Sequence, residues 1–259
     1  MIRKRPRVEP KWIIRIGSLA IGLIAWQLVG SAIDPLLIST PARIVSAFIK
    51  LTVSGRLPLE LASTLWTFSL GYTIAALAGI LIGSAMARWK IVENGLDPFV
   101  NALYATPYVA LVPLFIIWLG IGFFARLAVV ILSVVFVVII NTLAGLKDVG
   151  KSVVETGRSF GFSGLPLYRK VIFPASFPYI VAGLRLGIGR GLIGAIVAEL
   201  FLQLVGLGYL IQYYAGLLQV AQVFAIVIVI AIIGLFLTET LKRIESKVAS
   251  WRVTATVGA

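Results

Sequence analysis

The chain has 259 residues, of which 60% are hydrophobic and 13% are charged, and its mean hydropathy is +1.05. A water-soluble domain could not bury so large an apolar share, so the composition excludes an ordinary soluble protein and indicates a membrane protein. The sequence contains no cysteine and no histidine, which excludes disulfides and thiolate metal sites and removes the commonest metal ligand.

Six apolar segments have the length of a membrane-spanning helix, because about 20 apolar residues cross the hydrocarbon core of a bilayer. The predicted spans cover residues 13–33, 63–87, 98–119, 127–146, 179–205 and 220–238. These segments do not alternate polar and apolar residues, as the strands of a membrane β-barrel would. The sequence therefore predicts an all-α integral membrane protein with one transmembrane domain of six helices.

Lysine and arginine residues cluster at alternate ends of these segments. If six helices cross in turn, one side receives the basic residues within 3–11, 88–90, 147–170 and 242–252, whereas the other receives Arg43, Lys50, Arg56 and Arg126. Basic residues are enriched in cytoplasmic loops, so we predict that both termini are cytoplasmic and that the net charge of +13 does not indicate nucleic acid. A cleaved N-terminal secretory signal is the alternative, but its apolar region typically has roughly 7 to 15 residues, and the first segment is longer.

A short helix is predicted between the first two spans. Ser39 or Thr40 can cap this helix, and Pro41 suits its first position. Four apolar residues share one face of it, namely Ile44, Val45, Phe48 and Ile49. This pattern predicts an amphipathic helix that lies on the outer membrane surface.

Small residues recur at every fourth position in the second and fifth spans. The two rows are Gly71, Ala75, Gly79 and Gly83, and Gly183, Gly187, Gly191 and Ala195. Such rows let helix backbones approach closely in lipid, so they predict helix packing, either within the chain or, less favoured, with a second copy.

The third span contains two prolines, Pro107 and Pro113. Proline removes a backbone hydrogen bond, so this span is predicted to be kinked or interrupted. Interrupted helices often line a transport path, and both prolines are therefore candidate path residues.

Residues 145–152 read GLKDVGKS and match the phosphate-loop pattern G-x-x-x-x-G-K-[ST]. That loop needs a buried strand before it, a helix after it and an acidic residue for magnesium at the end of a second strand. Here a segment of membrane-spanning length precedes the match. We therefore interpret it as a false phosphate loop, predict no catalytic residue and no metal site in this chain, and do not expect an enzyme.

Residues 147–178 form the longest loop on the basic side, and their physical pattern predicts a helix, a turn and a second helix. Val153, Val154 and Phe160 are apolar positions of the first helix, glycines at 161 and 164 break it, and Pro166 suits the start of the next. An exposed aromatic tip with flanking charges suits a groove on a partner protein, although a helix on lipid headgroups is the alternative.

The order of residues in this loop resembles the signature of ABC importer permeases. That signature reads Glu-Ala-Ala, three residues, Gly, nine residues, then Ile-x-Leu-Pro; its positions fall here on Glu155, Thr156, Gly157, Gly161, Val171, Ile172, Phe173 and Pro174. Thr156 and Gly157 replace the two alanines, and because glycine weakens a helix by roughly 1 kcal/mol, a less rigid docking helix is expected.

The chain is also similar, from about residue 40 to residue 251, to the nitrate, sulfonate and taurine branch of these permeases. The similarity rests on residues 40–41, 114–122, 173–179, 183–185, 197–199 and 206–211. It implies a type I importer permease in the bacterial inner membrane, paired with a second copy of itself or a homologous permease. It further implies two cytoplasmic ATPase subunits that carry ATP and magnesium, and an extracytoplasmic solute-binding protein. Glu155, Thr156, Gly157, Phe160, Gly161, Phe162 and Pro174 would then contact the ATPase subunit.

The fifth span carries the charged residues Arg185, Arg190 and Glu199. Charges inside a membrane are costly, so they usually face a path or a partner. Arg190 either faces the translocation path and favours an anion, or pairs with a carboxylate or carbonyl groups. Glu199 is also a candidate path residue, but a path for anions should not expose a carboxylate, so bonding to irregular backbone near residues 206–209 is favoured.

Together with these resemblances, the observations predict the membrane subunit of an ATP-driven importer for a small solute, expected to be an anion of the sulfonate, taurine, nitrate or bicarbonate kind. The alternative is a secondary carrier driven by an ion gradient. Such carriers commonly show two related halves and intramembrane acids, neither of which is evident here beyond Glu199.

Overall fold

A computed structural model describes residues 11–248 of the chain, and this range contains helices and their connections but no strand. The α-helices are α1 Lys11–Ala32, α2 Pro41–Val53, α3 Arg56–Arg88, α4 Lys90–Ala105, α5 Val112–Leu119, α6 Phe123–Lys147, α7 Lys151–Ser159, α8 Gly164–Leu167, α9 Phe173–Leu202, α10 Leu207–Gly216 and α11 Val220–Val248. A 3₁₀ turn, Tyr108–Leu111, precedes α5, and a π turn, Tyr168–Ile172, joins α8 to α9.

Five helices of the described range are long and apolar enough to cross a membrane. They are Trp12–Ala32, Arg56–Arg88, Phe123–Lys147, Gly164–Leu202 and Val220–Arg243. Helices α4 and α5 pass the same test together but are bent by 92°, so the number of spans is six if this pair crosses once. The fifth span is predicted to end at residue 205. In the structure α9 ends at Leu202, because Gln203 adopts a left-handed conformation with φ 50°.

The third predicted span, 98–119, is divided rather than continuous. Helix α4 ends at Ala105, and Pro107 follows in an extended conformation that closes off the helix. Pro113 behaves differently, because it lies in the first turn of α5, where the missing N–H of proline breaks no helical hydrogen bond. The interruption predicted for this span is thus at Pro107, and Pro113 does not kink a helix.

Helix α6 lies between α3 and α9, and the small residues of α3 face it directly. A Cβ atom at Gly79 would lie 2.7 Å from Cβ of Val138, and one at Gly83 would lie 2.7 Å from the carbonyl oxygen of Ile139. A real Cβ atom could not stand so close to these atoms, so the contact requires glycine. Such close packing holds helices together in lipid, where hydrophobic burial gives no drive for association.

The small residues of α9 meet the same helix from the other side. A Cβ at Gly183 would lie 2.6 Å from Cβ of Asn141, and one at Gly191 would lie 2.8 Å from Cγ2 of Val134. The Tyr72 hydroxyl on α3 also donates to the Leu184 carbonyl on α9, at 2.8 Å. Packing within the chain, the favoured interpretation of the two rows of small residues, is therefore confirmed.

The short helix α2 begins at Pro41, and the Thr40 side chain accepts a hydrogen bond from the Arg43 N–H, as the capping prediction requires. Its predicted apolar face divides between two environments. Ile44 is buried, as is Ala47, whereas Val45, Phe48 and Ile49 are exposed on the surface of the protein, as residues that face lipid would be. Ile44 and Ala47 cluster around Ala225 because α2 packs on α1 and α11. The location of α2 on the outer membrane surface stays a prediction.

Replacement of Gly183 by alanine is expected to destabilise the protein, because the new Cβ would overlap Asn141, whose amide is held by the carbonyl of Val137. Overpacking of this kind costs about 1 to 3 kcal/mol in the free energy of unfolding. Gly189 on the same helix is the matched control, since nothing lies within 4 Å of its Cβ position. Gly189→Ala should stabilise the helix by about 0.5 to 1 kcal/mol. Chemical unfolding in detergent measures the free energy of unfolding of both variants. Equal changes in the two variants would contradict the close approach of α9 to α6 at Gly183.

Candidate functional site

The first backbone N–H groups of α10 are bound by side chains from two other helices. The donor and acceptor pairs are Gly206 N to Glu60 Oε2 at 2.5 Å, Leu207 N to Thr64 Oγ1 at 2.9 Å, and Gly208 N to Glu199 Oε2 at 3.0 Å. The first N–H groups of a helix have no partner inside the helix, and carboxylates there are favoured by the helix dipole. We call these three acceptors, Glu60, Thr64 and Glu199, the α10 clamp. The clamp fixes the start of α10 to α3 and α9.

Glu199 is the most deeply buried member of the clamp, with 1% of its surface exposed. Its Oε2 also accepts the hydroxyl of Thr64 at 3.0 Å, and its Oε1 lies 4.0 Å from Nη1 of Arg126. Arg126 is buried as well and donates to the Ser63 hydroxyl at 3.3 Å. A buried carboxylate is costly unless donors and a counter-charge surround it. Oε2 of Glu199 has two donors, and Arg126 supplies the counter-charge, whereas Oε1 is buried without a hydrogen bond among the described residues.

Glycine is required where the chain enters the clamp. Gly206 has φ 102°, and a Cβ on it would overlap the carboxyl group of Glu199. A Cβ on Gly208 would lie 2.5 Å from the carbonyl oxygen of Ile196. These two glycines therefore allow the backbone N–H groups to reach the carboxylates. From the sequence we expected Glu199 to bond to the backbone near residues 206–209. The hydrogen bond from the Gly208 N–H to Glu199 is a bond of this kind.

From the sequence, Arg126 was counted among the basic residues of the side opposite the cytoplasm, directly before the fourth predicted span, 127–146, and only the start of that span differs in the structure. The residue lies in the first turn of α6 and is 6% exposed, because α6 begins at Phe123 rather than at residue 127. No spacing links Arg126 to Glu199, 73 positions further along the chain. Its position next to an apolar segment is the one sign that it could be buried.

Arg190 lies apart from the α10 clamp and contacts the end of α4. Its guanidinium carbon stands 4.8 Å from the centroid of the Tyr104 ring, and its Nη2 donates to the Tyr104 hydroxyl at 3.3 Å. Tyr104 precedes Pro107 by three residues, so Arg190 is placed beside the interruption in the bent pair α4 and α5. Arg190 is half-buried, and no carboxylate pairs with it among the described side chains.

The segment with the permease-like signature forms α7 and the turn after it. Glu155 and Thr156 are exposed on α7, and Phe160 at its end is 78% exposed. Gly161 follows with φ 82°, which glycine adopts without strain. Phe162 is half-buried, with the ammonium of Lys170 5.3 Å from its ring centroid. Pro174 occupies the first turn of α9 and is exposed.

Gly157 has a packing role that the sequence did not indicate. A Cβ on it would lie 2.9 Å from Cδ1 of Leu167 and 3.0 Å from Cγ2 of Val171, so α7 rests closely on α8 and the π turn. The hydroxyl of Tyr168, in the same turn, donates to the carbonyl of Ser84 on α3 at 3.1 Å. The glycine that lowers helix propensity in α7 thus brings it against the segment that is joined to α3.

The phosphate-loop match falls at a helix end. Helix α6 continues through Gly145 to Lys147, and Gly145 is in close contact with Tyr179 of α9. The Tyr179 hydroxyl donates to Asp148 Oδ2 at 2.6 Å. Within residues 11–248, no strand precedes the match, and its first glycine serves helix packing.

Comparison with known proteins supports a transport role. A family model described as the inner membrane component of binding-protein-dependent transport systems matches residues 75–249. The candidate aliphatic sulfonates transport permease SsuC of Bacillus subtilis (strain 168) is 32% identical over 254 residues, which cover 97% of this chain and 92% of the relative. The taurine transport system permease TauC of Escherichia coli (strain K12) is 32% identical over 247 residues, which cover 92% of this chain and 89% of the relative.

Two solved transporter structures share the fold. A chain of an amino acid ABC transporter superposes with a TM-score of 0.59 at 22% identity, covering 83% of this chain and 96% of that one. A chain of the inward-facing MetNI methionine ABC transporter gives a TM-score of 0.59 at 17% identity, covering 73% and 96%. The all-α permease architecture expected from the sequence is therefore confirmed.

Replacement of Glu199 by alanine is expected to destabilise the protein strongly. It would leave the Gly208 N–H buried without its acceptor and the Arg126 guanidinium buried without its counter-charge, and breaking a buried pair in this way costs about 3 to 5 kcal/mol. Glu239 is the control, because its carboxylate is 52% exposed and pairs at the surface of α11.

Glu239→Ala should change the free energy of unfolding by less than about 1 kcal/mol. Unfolding titrations of the two purified variants in the same detergent give the comparison. Similar losses in both would show that the α10 clamp does not stabilise the protein.

Proposed function

Because this chain belongs to the family of binding-protein-dependent transport system inner membrane components, the permeases of ABC transporters, we propose that it forms the translocation path of an ATP-driven importer. The observation that carries the proposal is the exposed end of α7, where Phe160 is 78% exposed beside charged residues. Large apolar groups at such a tip suit insertion into a groove of a partner protein. The partner in this proposal is a cytoplasmic ATPase subunit.

The energy for transport enters through that contact. ATP and magnesium belong to the two ATPase subunits, whose closure would displace α7. The motion would pass from α7 through Gly157 to α8 and the π turn, which continue into α9 without a break within Gly164–Leu202. No residue of this chain performs the hydrolysis, and the helical context of residues 145–152 supports their interpretation as a false phosphate loop.

The proposed assembly contains a second copy of this chain or a homologous permease, and an extracytoplasmic binding protein that delivers the solute. The chain would lie in the bacterial inner membrane with both termini cytoplasmic. The uneven distribution of basic residues supports this orientation, because the side predicted to be cytoplasmic receives those within 3–11, 88–90, 147–170 and 242–252, whereas the other side receives Arg43, Lys50, Arg56 and Arg126.

The proposed solute is a small organic anion of the sulfonate or taurine class. The names of the relatives support this class, and so does Arg190, a cation without a carboxylate partner among the described side chains, beside the break between α4 and α5. A charge within a membrane span usually faces a path or a partner, and Arg190 offers guanidinium donors to a sulfonate.

A secondary carrier is the less favoured function. A coupling acid must exchange its ion with water, whereas Glu199 is 1% exposed and bound by backbone and hydroxyl donors. Depletion of ATP in cells, with the membrane potential held constant, separates the two functions. Uptake should stop under the present proposal, and continued uptake would support the carrier.

Replacement of Phe160 by alanine should weaken binding of the ATPase subunit. Burial of one phenylalanine side chain contributes about 1.5 to 3 kcal/mol, so affinity should fall on the order of tenfold to a hundredfold. Phe124 is the matched control, because it is 68% exposed at the opposite end of α6 from α7. Titration of the cognate ATPase subunit onto membrane vesicles that contain each variant measures the affinity. Crosslinks from residue 160 that reach phospholipid alone would contradict the proposed contact.

Replacement of Arg190 by glutamate should lower anion uptake by at least about tenfold, because a reversed charge repels an anion along the path. Arg190→Lys retains the charge and should keep most of the uptake, and Tyr104→Phe tests the hydroxyl contact alone. Uptake of a radiolabelled alkanesulfonate, which carries a net negative charge, by cells with equal amounts of each permease is the measurement. Normal uptake by the glutamate variant would place Arg190 outside the path.

A further inference from the structure

A polar cleft lies between the end of α3 and the segment that contains α7 and α8. Its volume is about 300 Å³, and it is lined by Ala87, Arg88, Leu146, Arg158, Gly164, Leu167, Tyr168 and Ile172. This space could hold about ten water molecules at roughly 30 Å³ each, so a phosphate-sized group fits. No acidic residue lines it, and five elements contribute to its walls, namely α3, α6, α7, α8 and the π turn.

Two arginines from distant parts of the chain converge on this cleft. Arg88 is the last residue of α3, and Arg158 lies in the last turn of α7. Neither guanidinium forms an ion pair with a carboxylate among the side chains that the structure describes. Two cations with free donors at one cleft are suited to bind the oxygens of a phosphate group.

The cleft adjoins the end of an apolar helix. Arg88 ends Arg56–Arg88, which is long and apolar enough to cross a membrane. Trp89, next to Arg88, is 56% exposed, and aromatic residues of this kind are enriched at the interface between lipid and water. Leu146 and Ile172 add apolar side chains to the lining. A phosphate held here would therefore belong to a molecule with its apolar part in the bilayer, and basic pockets at this depth favour anionic lipids.

We propose that Arg88 and Arg158 bind the phosphate headgroup of an anionic phospholipid in the cleft between α3, α7 and α8. The bound headgroup links the end of α7 to the end of α3, in addition to the hydrogen bond from Tyr168 to Ser84. A lipid with a headgroup of zero net charge, such as phosphatidylcholine, should bind the two arginines more weakly than an anionic lipid. The lipid contact does not require the proposed contact of Phe160 with an ATPase subunit, but it does require that the two arginines remain open to lipid in the assembled transporter.

Photo-crosslinking of the full chain tests the site. The purified protein is placed in vesicles of phosphatidylcholine mixed with a phosphatidylglycerol analogue that carries a photoreactive headgroup, and the crosslinked peptides are mapped by mass spectrometry. Labels are expected at residues 87–89 and 158–168. Labels distributed over all basic segments would overturn the proposal, and this map needs no variant.

The double variant Arg88→Gln, Arg158→Gln should lose labelling at these residues by about tenfold or more, the ratio that corresponds to 1.4 kcal/mol of binding. The matched control is Lys151→Gln, Arg169→Gln, which removes two charges from the same side but none from the cleft. The control should retain the wild-type labelling. The double variant Arg88→Lys, Arg158→Lys keeps both charges and should retain labelling. Its labelling tests the role of the two charges even if the glutamine variant is misfolded.

Three further results would overturn the proposal. A phosphatidylcholine analogue that labels equally well would show that the anionic headgroup is not recognised. Loss of labelling on addition of inorganic phosphate would identify a soluble anion as the ligand. Complete protection by a bound ATPase subunit, with no lipid label in the assembled transporter, would assign the two arginines to a protein contact.

Discussion

Close approach of helix backbones is the constraint on which this fold depends. In a bilayer the lipid chains are as apolar as the helices, so helices associate through packing and hydrogen bonds rather than through hydrophobic burial. Helix α6 satisfies this constraint twice, against the glycines of α3 on one side and against those of α9 on the other. The three helices therefore form one packed unit, to which we refer as the central unit.

Both candidate functional elements are attached to this central unit, at its two ends. The α10 clamp joins α10 to α3 through Glu60 and Thr64, and to α9 through Glu199. At the other end, α8 and the π turn continue into α9, and Tyr168 holds them to α3. A displacement of α7 that moved the central unit would therefore move the start of α10 as well, because the α10 clamp bonds α10 to both α3 and α9.

Much of this arrangement could be predicted from the sequence, because length, spacing and small residues are local signals. The rows of glycine, the cap at Thr40 and the break at Pro107 are read from neighbouring residues. Contacts between distant residues leave no such signal, so the pairing of Arg126 with Glu199 was missed. The contact of Ile44 and Ala47 with Ala225 of α11 was missed for the same reason, since the periodicity of α2 does not reveal it.

The contact between Arg190 and Tyr104 joins the central unit to α4, which is not part of it. Any opening of a path between α9 and α4 must separate these two residues. The guanidinium would then lose a hydroxyl and an aromatic ring as neighbours, and loss of such contacts inside a membrane is costly. An anion that binds Arg190 replaces them, so it would stabilise the open arrangement and not the closed one. Under the proposed function, this difference in binding is how a solute could favour its own passage, because a ligand shifts a conformational equilibrium only by its differential affinity for the two states.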